Sequence, residues 1–322
     1  MSVRITGPDP SPPAAFTRYP TSDHHRLQQI YSATRAQGHA CAGGGGGPST
    51  SASGVAASLS AGGGSAVPQW LADVRKELPL TDQLIYMQTG GHGPALDSVL
   101  RATAMAAEDD AHVAMPVATG VRPEFFKAAG LGSGASGSAA AQARQALGEM
   151  LGCSAESVAV LSSTSIALYT VIMARQWREG DEMVISNLEH VCIASIAQGL
   201  EAQYGVRITA VPADQGDEAF LAALAAALSS RTKLVVLSHV ASPTGHVLPV
   251  AGAVAAVRKH ADGARVAIDG AQAIGQIPVD VRAISCDYYI GSGHKWLCGP
   301  SGTAFLYVSQ DALPGAFAPK LR

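Results

Sequence analysis

Seven short β-rich runs recur between residues 158 and 308, and their alternation with helical stretches constrains the fold more than any other feature of the chain. The runs are Val158–Leu161, Glu182–Ser186, Val206–Val211, Leu234–Ser238, Arg265–Ile268, Tyr288–Gly291 and Thr303–Val308. Helical patterns fill the earlier gaps, at Ile166–Trp177, Ile193–Tyr204, Glu218–Leu228 and Val250–His260. Such alternation predicts an α/β fold, a mostly parallel seven-stranded sheet flanked by helices on both faces. Two amphipathic helices are expected ahead of it, at Trp70–Leu78 and Leu96–Ala107.

Composition separates this region from what precedes it. Residues 1–66 carry paired prolines, the Gly43–Gly47 run and a Ser/Ala/Gly tract ending at Ser65. That segment offers little apolar surface to offset the entropy of ordering it, so it reads as a disordered low-complexity extension. Arg4, Arg18, Arg26 and Arg35 among Ser, Thr and Ala leave an organelle transit segment open, although Asp9 and Asp23 interrupt the pattern. Residues 67–322 are expected to form the folded domain, with Gly130–Ser138 as a flexible connection inside it. A formal net charge of −3 gives no basic footprint for nucleic acid. No apolar run approaches the roughly 18–20 residues that span a bilayer. The five cysteines, Cys41, Cys153, Cys192, Cys286 and Cys298, form no CxxC pair. Their odd number and irregular spacing fit reduced thiols inside a cell, cytoplasmic or organellar, better than a secreted disulfide framework.

In a parallel α/β sheet, ligands bind beyond the carboxyl ends of the strands. Five polar stretches follow candidate strands there: 162–165, 187–190, 238–244, 269–272 and 292–295. In the last, Ser292-Gly293-His294-Lys295 presents a lysine after small residues. A lysine that condenses with an aldehyde cofactor needs such a closed setting, and Ser292 and His294 supply donors for a phosphate. A surface lysine in a Gly-rich turn is the alternative. Asp269 ends an apolar run, where a carboxylate can pair with the pyridine nitrogen of pyridoxal 5'-phosphate and make its ring an electron sink. It can equally cap the turn that follows. A paired cation would lower its pKa. Gln272 is placed to donate to the phenolic oxygen of that cofactor. Thr164 and Ser165 open a helix, where free amides and hydroxyls cradle phosphate, and a plain N-cap is the simpler use. His190 can lay its ring on the cofactor or be held in a loop.

These signatures, in order, resemble the class V aminotransferase family, which includes cysteine desulfurases, selenocysteine lyases and isopenicillin N epimerase-like proteins. The resemblance rests on Asn187-Leu188-Glu189-His190, Ser238-His239-Val240 with Thr244-Gly245, Asp269-Gly270-Ala271-Gln272 and Ser292-Gly293-His294-Lys295. It implies a fold-type-I enzyme that binds pyridoxal 5'-phosphate as a Schiff base on Lys295 and acts on a small amino acid. By the same resemblance Asp269 would pair with the pyridine nitrogen, Gln272 would contact the phenolic oxygen and His190 would stack on the ring. Thr164, Ser165, Ser292 and His294 would hold phosphate, and Tyr86–Gly91 would line the substrate side. A homodimer is implied as well.

Departures from the family pattern set the finer expectation. Ser242 stands where desulfurase-like members carry an asparagine, and Thr164-Ser165-Ile166-Ala167 replaces the usual phosphate wording. Gln276-Ile277-Pro278-Val279-Asp280 and His294-Lys295-Trp296 resemble the epimerase-like branch. Epimerase- or aminotransferase-type chemistry is therefore expected first. Desulfurase- or lyase-type activity and a non-catalytic cofactor-binding protein are the alternatives. The family's smaller C-terminal domain, with its carboxylate-binding arginine and reactive cysteine loop, has no counterpart before Arg322. Cys286 and Cys298 read as structural thiols.

Overall fold

A computed structural model describes residues 69–78, 85–118 and 139–312. The expected extension over residues 1–66 and the Gly130–Ser138 connection lie outside these. Three helices come first: α1 (Gln69–Lys76), α2 (Asp97–Ala118) and α3 (Ala139–Leu151). The alternating region follows as β1 (Val158–Leu161), α4 (Thr164–Met173), β2 (Glu182–Ser186), α5 (Val191–Tyr204), β3 (Arg207–Val211) and α6 (Asp217–Ala227). It continues through β4 (Thr232–Ser238), α7 (Val250–His260), β5 (Arg265–Asp269), α8 (Val281–Ile284), β6 (Tyr288–Ser292) and β7 (Ala304–Val308).

The seven strands form one sheet in the order β1-β7-β6-β5-β4-β2-β3. Only β7 runs against its neighbours, pairing antiparallel with both β1 and β6. The expected mostly parallel seven-stranded sheet is therefore present. Its central strands are buried on both faces, and successive residues feed two separate cores. Along β4, Leu234 and Val236 pack with α4 and α5, whereas Val235 and Leu237 pack with α6 and α7. Strand periodicity of two produces this split, and it explains why β4 reads as a nearly continuous apolar run.

Several helix bounds differ from expectation: α2 runs on to Ala118, past the expected end at Ala107, and α5 starts two residues early, at Val191. The Ile166–Trp177 pattern becomes α4, which starts two residues earlier and stops at Met173. The run beyond it does not continue as helix because Trp177 turns back and donates its indole N–H to the Ile172 carbonyl at 2.8 Å. A side chain thus satisfies one of the carbonyls that a helix end leaves open. Directly before the amino end of β6, Asp287 is 1% exposed and accepts from Arg258, Arg265 and the Val266 amide, each at 2.7 Å. This network ties the start of β6 to β5 and α7. Among the described residues no helix is long and apolar enough to cross a membrane.

Candidate active site

Because β1, β2, β4, β5 and β6 share one direction, their carboxyl ends meet along one edge of the sheet. A cavity of about 340 Å³ opens there. It is lined by Lys295, Asp269, Gln272, His190, Thr164, Ser165 and His294, all seven from the sequence expectation. Ser292, the eighth, is not in its wall. It is fully buried, and its hydroxyl lies 3.1 Å from Nδ1 of His294, within hydrogen-bond reach of that ring.

One end of the cavity is suited to an anion. Ser163 caps α4 by accepting from the Ile166 amide at 3.1 Å, and the first amides of the helix then have no intrahelical partner. Thr164 Oγ1 is buried beside them without a hydrogen-bond partner. A buried hydroxyl left unpaired costs free energy unless a ligand or water answers it. Ser163 is thus the plain cap of this stretch, and Thr164 Oγ1 is the hydroxyl left without a partner.

Asp269 braces the turn after β5, the second of its expected uses, and also lines the cavity. Its carboxyl faces the cavity, and Oδ1 accepts the Ala271 amide at 2.9 Å, bracing the turn. Burial is the largest influence on it and raises its pKa; the Ala271 amide and the charges of Lys295 and His190 offset only part. His190 caps α5, its Nδ1 accepting from the Cys192 amide at 3.3 Å, while its ring borders the cavity.

Gln272 is held by partners within the chain. The Trp296 indole can only donate, and it holds Oε1 of Gln272 at 2.8 Å. The amide nitrogen therefore faces the other way and donates to the Gly90 carbonyl at 2.8 Å, with Ser242 Oγ at 3.3 Å. Both of its donors thus point toward groups of the chain itself. Gln272 fastens residues 85–93 across the cavity. That strap is also tied where the Gly93 amide donates to the His294 carbonyl at 2.7 Å. A Cβ at Gly93 would overlap the Lys295 carbonyl, so only glycine allows this approach.

Two residues in the site were not singled out by their sequence positions. Cys192 lines the cavity, with Sγ 3.1 Å from His190 Nδ1, and burial keeps its pKa above the ordinary thiol value. Cys286, by contrast, is buried in the core and pushed up to about 12, as a structural thiol should be. Glu189 lies behind the cavity wall. It accepts from the Ser186 hydroxyl at 2.6 Å, the Ser238 amide at 3.0 Å and the Ser238 hydroxyl at 2.6 Å, bridging β2 and β4. Burial raises it to about 7, the serine hydrogen bonds oppose this, and the Asp269 charge adds to it.

A carboxyl whose folded pKa lies above its unfolded value contributes stability that is full below about pH 4.5. That stability is lost as pH rises through about 7. Each tenfold difference in proton affinity between the folded and unfolded chain is worth about 1.4 kcal/mol, so the loss is a few kcal/mol. Glu189→Gln keeps the shape without the charge, so its melting temperature is expected to fall less than that of the unaltered chain between pH 5 and pH 8. Equal slopes in thermal unfolding would show that Glu189 does not titrate there. His239, lowered to about 4 by burial, works in the opposite sense at more acid pH and is common to both proteins.

Comparisons with known proteins identify the family. A family model, Aminotransferase class-V, matches residues 130–321. A probable cysteine desulfurase of Mycolicibacterium paratuberculosis is 36% identical over 176 residues, covering 53% of this chain and 25% of that protein. A cysteine desulfurase of Synechococcus elongatus is 36% identical over 165 residues, covering 50% and 26%. Among solved structures, the cystine C-S lyase C-DES in complex with its product cysteine persulfide matches with a TM-score of 0.61 and 31% identity. That match covers 74% of this chain and 60% of C-DES. The chain thus spans about a quarter of these two curated relatives and 60% of that structure's chain.

Proposed function

The chain belongs to the class V aminotransferase family, and from that premise we propose that it is a pyridoxal 5'-phosphate enzyme that cleaves a carbon–sulfur bond in a cysteine-type amino acid. The observation that carries this reading is the convergence of Lys295, Asp269, His190 and the α4 N-terminus on one cavity. The unpaired, buried Thr164 hydroxyl beside free helix amides fits the phosphate of that cofactor. When bound, the cofactor supplies an electron sink for the pair released at the substrate Cα.

The chain's own groups divide the remaining work. Lys295 Nζ would hold the cofactor, yield its place to the substrate amine, and then move the Cα proton as base and acid. Asp269 would keep the pyridine nitrogen protonated, and its burial strengthens that pairing because little water competes. His190 would cover one face of the ring. Ser292 and Gln272 would act one step back, Ser292 orienting His294 and Gln272 holding the strap of residues 85–93.

Carbon–sulfur chemistry is preferred over the epimerase- or aminotransferase-type reaction expected first from the sequence, because the relatives above are named desulfurases and a C-S lyase. Ser242, in place of the desulfurase-like asparagine, is the feature that favours the second reading. A homodimer is part of the same proposal; exposed Ile166 and Tyr169 on α4 support it. Incubating the cofactor-loaded chain with cysteine, cystine, alanine and a keto-acid acceptor tests the choice. Sulfide, persulfide or thiol release is expected. Racemised alanine or a new amino acid without sulfur release would select the second reading, and no turnover with cofactor bound would indicate a binding protein.

A further inference from the structure

Beyond Gln272 the site has a second chamber. A cavity of about 380 Å³ shares Gly90, Gly91, Val240, Ser242 and Gln272 with the Lys295 cavity and extends away from it. Its own wall is formed by Met87, Gln88, Val247, Gln276, Ile277 and Trp296. Four of these are apolar and two are neutral amides; among the described residues, no charged side chain lines it. The first cavity is different in kind, with Lys295, Asp269 and two histidines around it.

The partition between them is built rather than incidental. Trp296 fixes the amide of Gln272, and Gln272 fixes the Gly90 carbonyl, so the shared wall is held by hydrogen bonds of 2.8 Å on both sides. A substrate whose amine is at Lys295 and whose side chain runs past Gln272, along the lining the two cavities share, would place its far end beside Trp296, Val247 and Ile277. An ionised group there would meet no side chain of opposite charge among the described residues and would gain nothing from the apolar wall. An uncharged group would gain by burying apolar surface.

Resting on the carbon–sulfur reading above, we propose that the second chamber is the subsite for the sulfur substituent, and that it selects cysteines carrying a bulky uncharged group, S-alkyl or S-aryl, over free cysteine and over cystine. Free cysteine leaves the chamber unfilled. Cystine places an ammonium and a carboxylate in it. The reaction balances without an added oxidant or acceptor. The Cα proton passes to Lys295, the Cβ–S bond breaks with its electron pair going to sulfur, and the thiolate takes up a proton. Water then converts the three-carbon fragment to pyruvate and ammonium.

The test titrates S-benzyl-cysteine, S-(2-carboxyethyl)-cysteine, cysteine and cystine into the cofactor-loaded chain, following the absorbance of the bound cofactor, with pyruvate release as a second readout. S-benzyl-cysteine is expected to half-saturate at a concentration at least about tenfold lower than any of the other three. Val247→Trp, which fills the chamber from its partly exposed rim, should bring the ratio of S-benzyl-cysteine to cysteine affinity toward one. Should that variant not fold, the comparison of the neutral with the charged substituent on the unaltered chain decides alone. Equal or tighter binding of cysteine, cystine or the carboxyethyl compound would overturn the subsite and leave the carbon–sulfur reading standing. Absence of any spectral response to all four would instead remove that reading, and the subsite with it.

Discussion

Reduction of the cofactor-loaded chain with borohydride is expected to leave the cofactor's mass on the peptide that carries Lys295, and Lys295→Ala should abolish both that adduct and turnover. The expected loss of turnover is at least about 10²–10⁴-fold, the range for removing a positioned acid–base group. Lys295 merits this weight because of its surroundings. It stands beyond the end of β6, opposite Asp269 at the end of β5, in a cavity that also holds the α4 N-terminus. The strap packs so closely on its backbone that Gly93 has no room for a Cβ. A lysine in an ordinary solvated turn has none of these constraints. Lys259, exposed in the last turn of α7, serves as the comparison, and Lys259→Ala should leave adduct and turnover unchanged. An adduct on the Lys295→Ala chain, or unimpaired turnover, would move the attachment point elsewhere.

How far the sequence reaches is visible in which of these contacts are local. The seven strands were legible because period-two burial and helix alternation are written over short windows, and the strand ends then marked the site by geometry alone. Lys295, Asp269, His190 and Thr164 all came from that rule. What escaped depends on partners distant in the chain. Gln272 sits in the expected cavity, yet its donors are taken by Gly90, 182 positions away, and its acceptor by Trp296. Glu189 looks like an ordinary polar residue until β4 brings Ser238 against it. The early end of α4 required knowing that Trp177 would fold back on Ile172. In each case the residue type was consistent with several fates, and long-range packing chose among them.

Asp269→Asn separates the structural use of Asp269 from its chemical one. Asparagine retains an oxygen that can accept the Ala271 amide, which Asp269 Oδ1 now holds at 2.9 Å, so the turn after β5 should persist. It carries no charge, and this fixes the sign of the stability change. Burial raises the pKa of Asp269, so its ionised form is disfavoured by folding and the stability associated with its proton is lost as pH rises through the folded value. The cofactor-free Asn variant is therefore expected to melt at or above the unaltered chain at pH 8. Turnover should move in the opposite direction. Without a carboxylate, nothing keeps a pyridine nitrogen protonated, and loss of one preorganised electrostatic partner at a reacting centre costs about 10²–10³-fold. Borohydride should still fix the cofactor on Lys295, because that attachment does not depend on the ring nitrogen. A variant that is destabilised but fully active would mean that Asp269 only braces the turn. One that is stable, labelled at Lys295 and catalytically poor is the pattern expected of a carboxylate kept in the core for its charge.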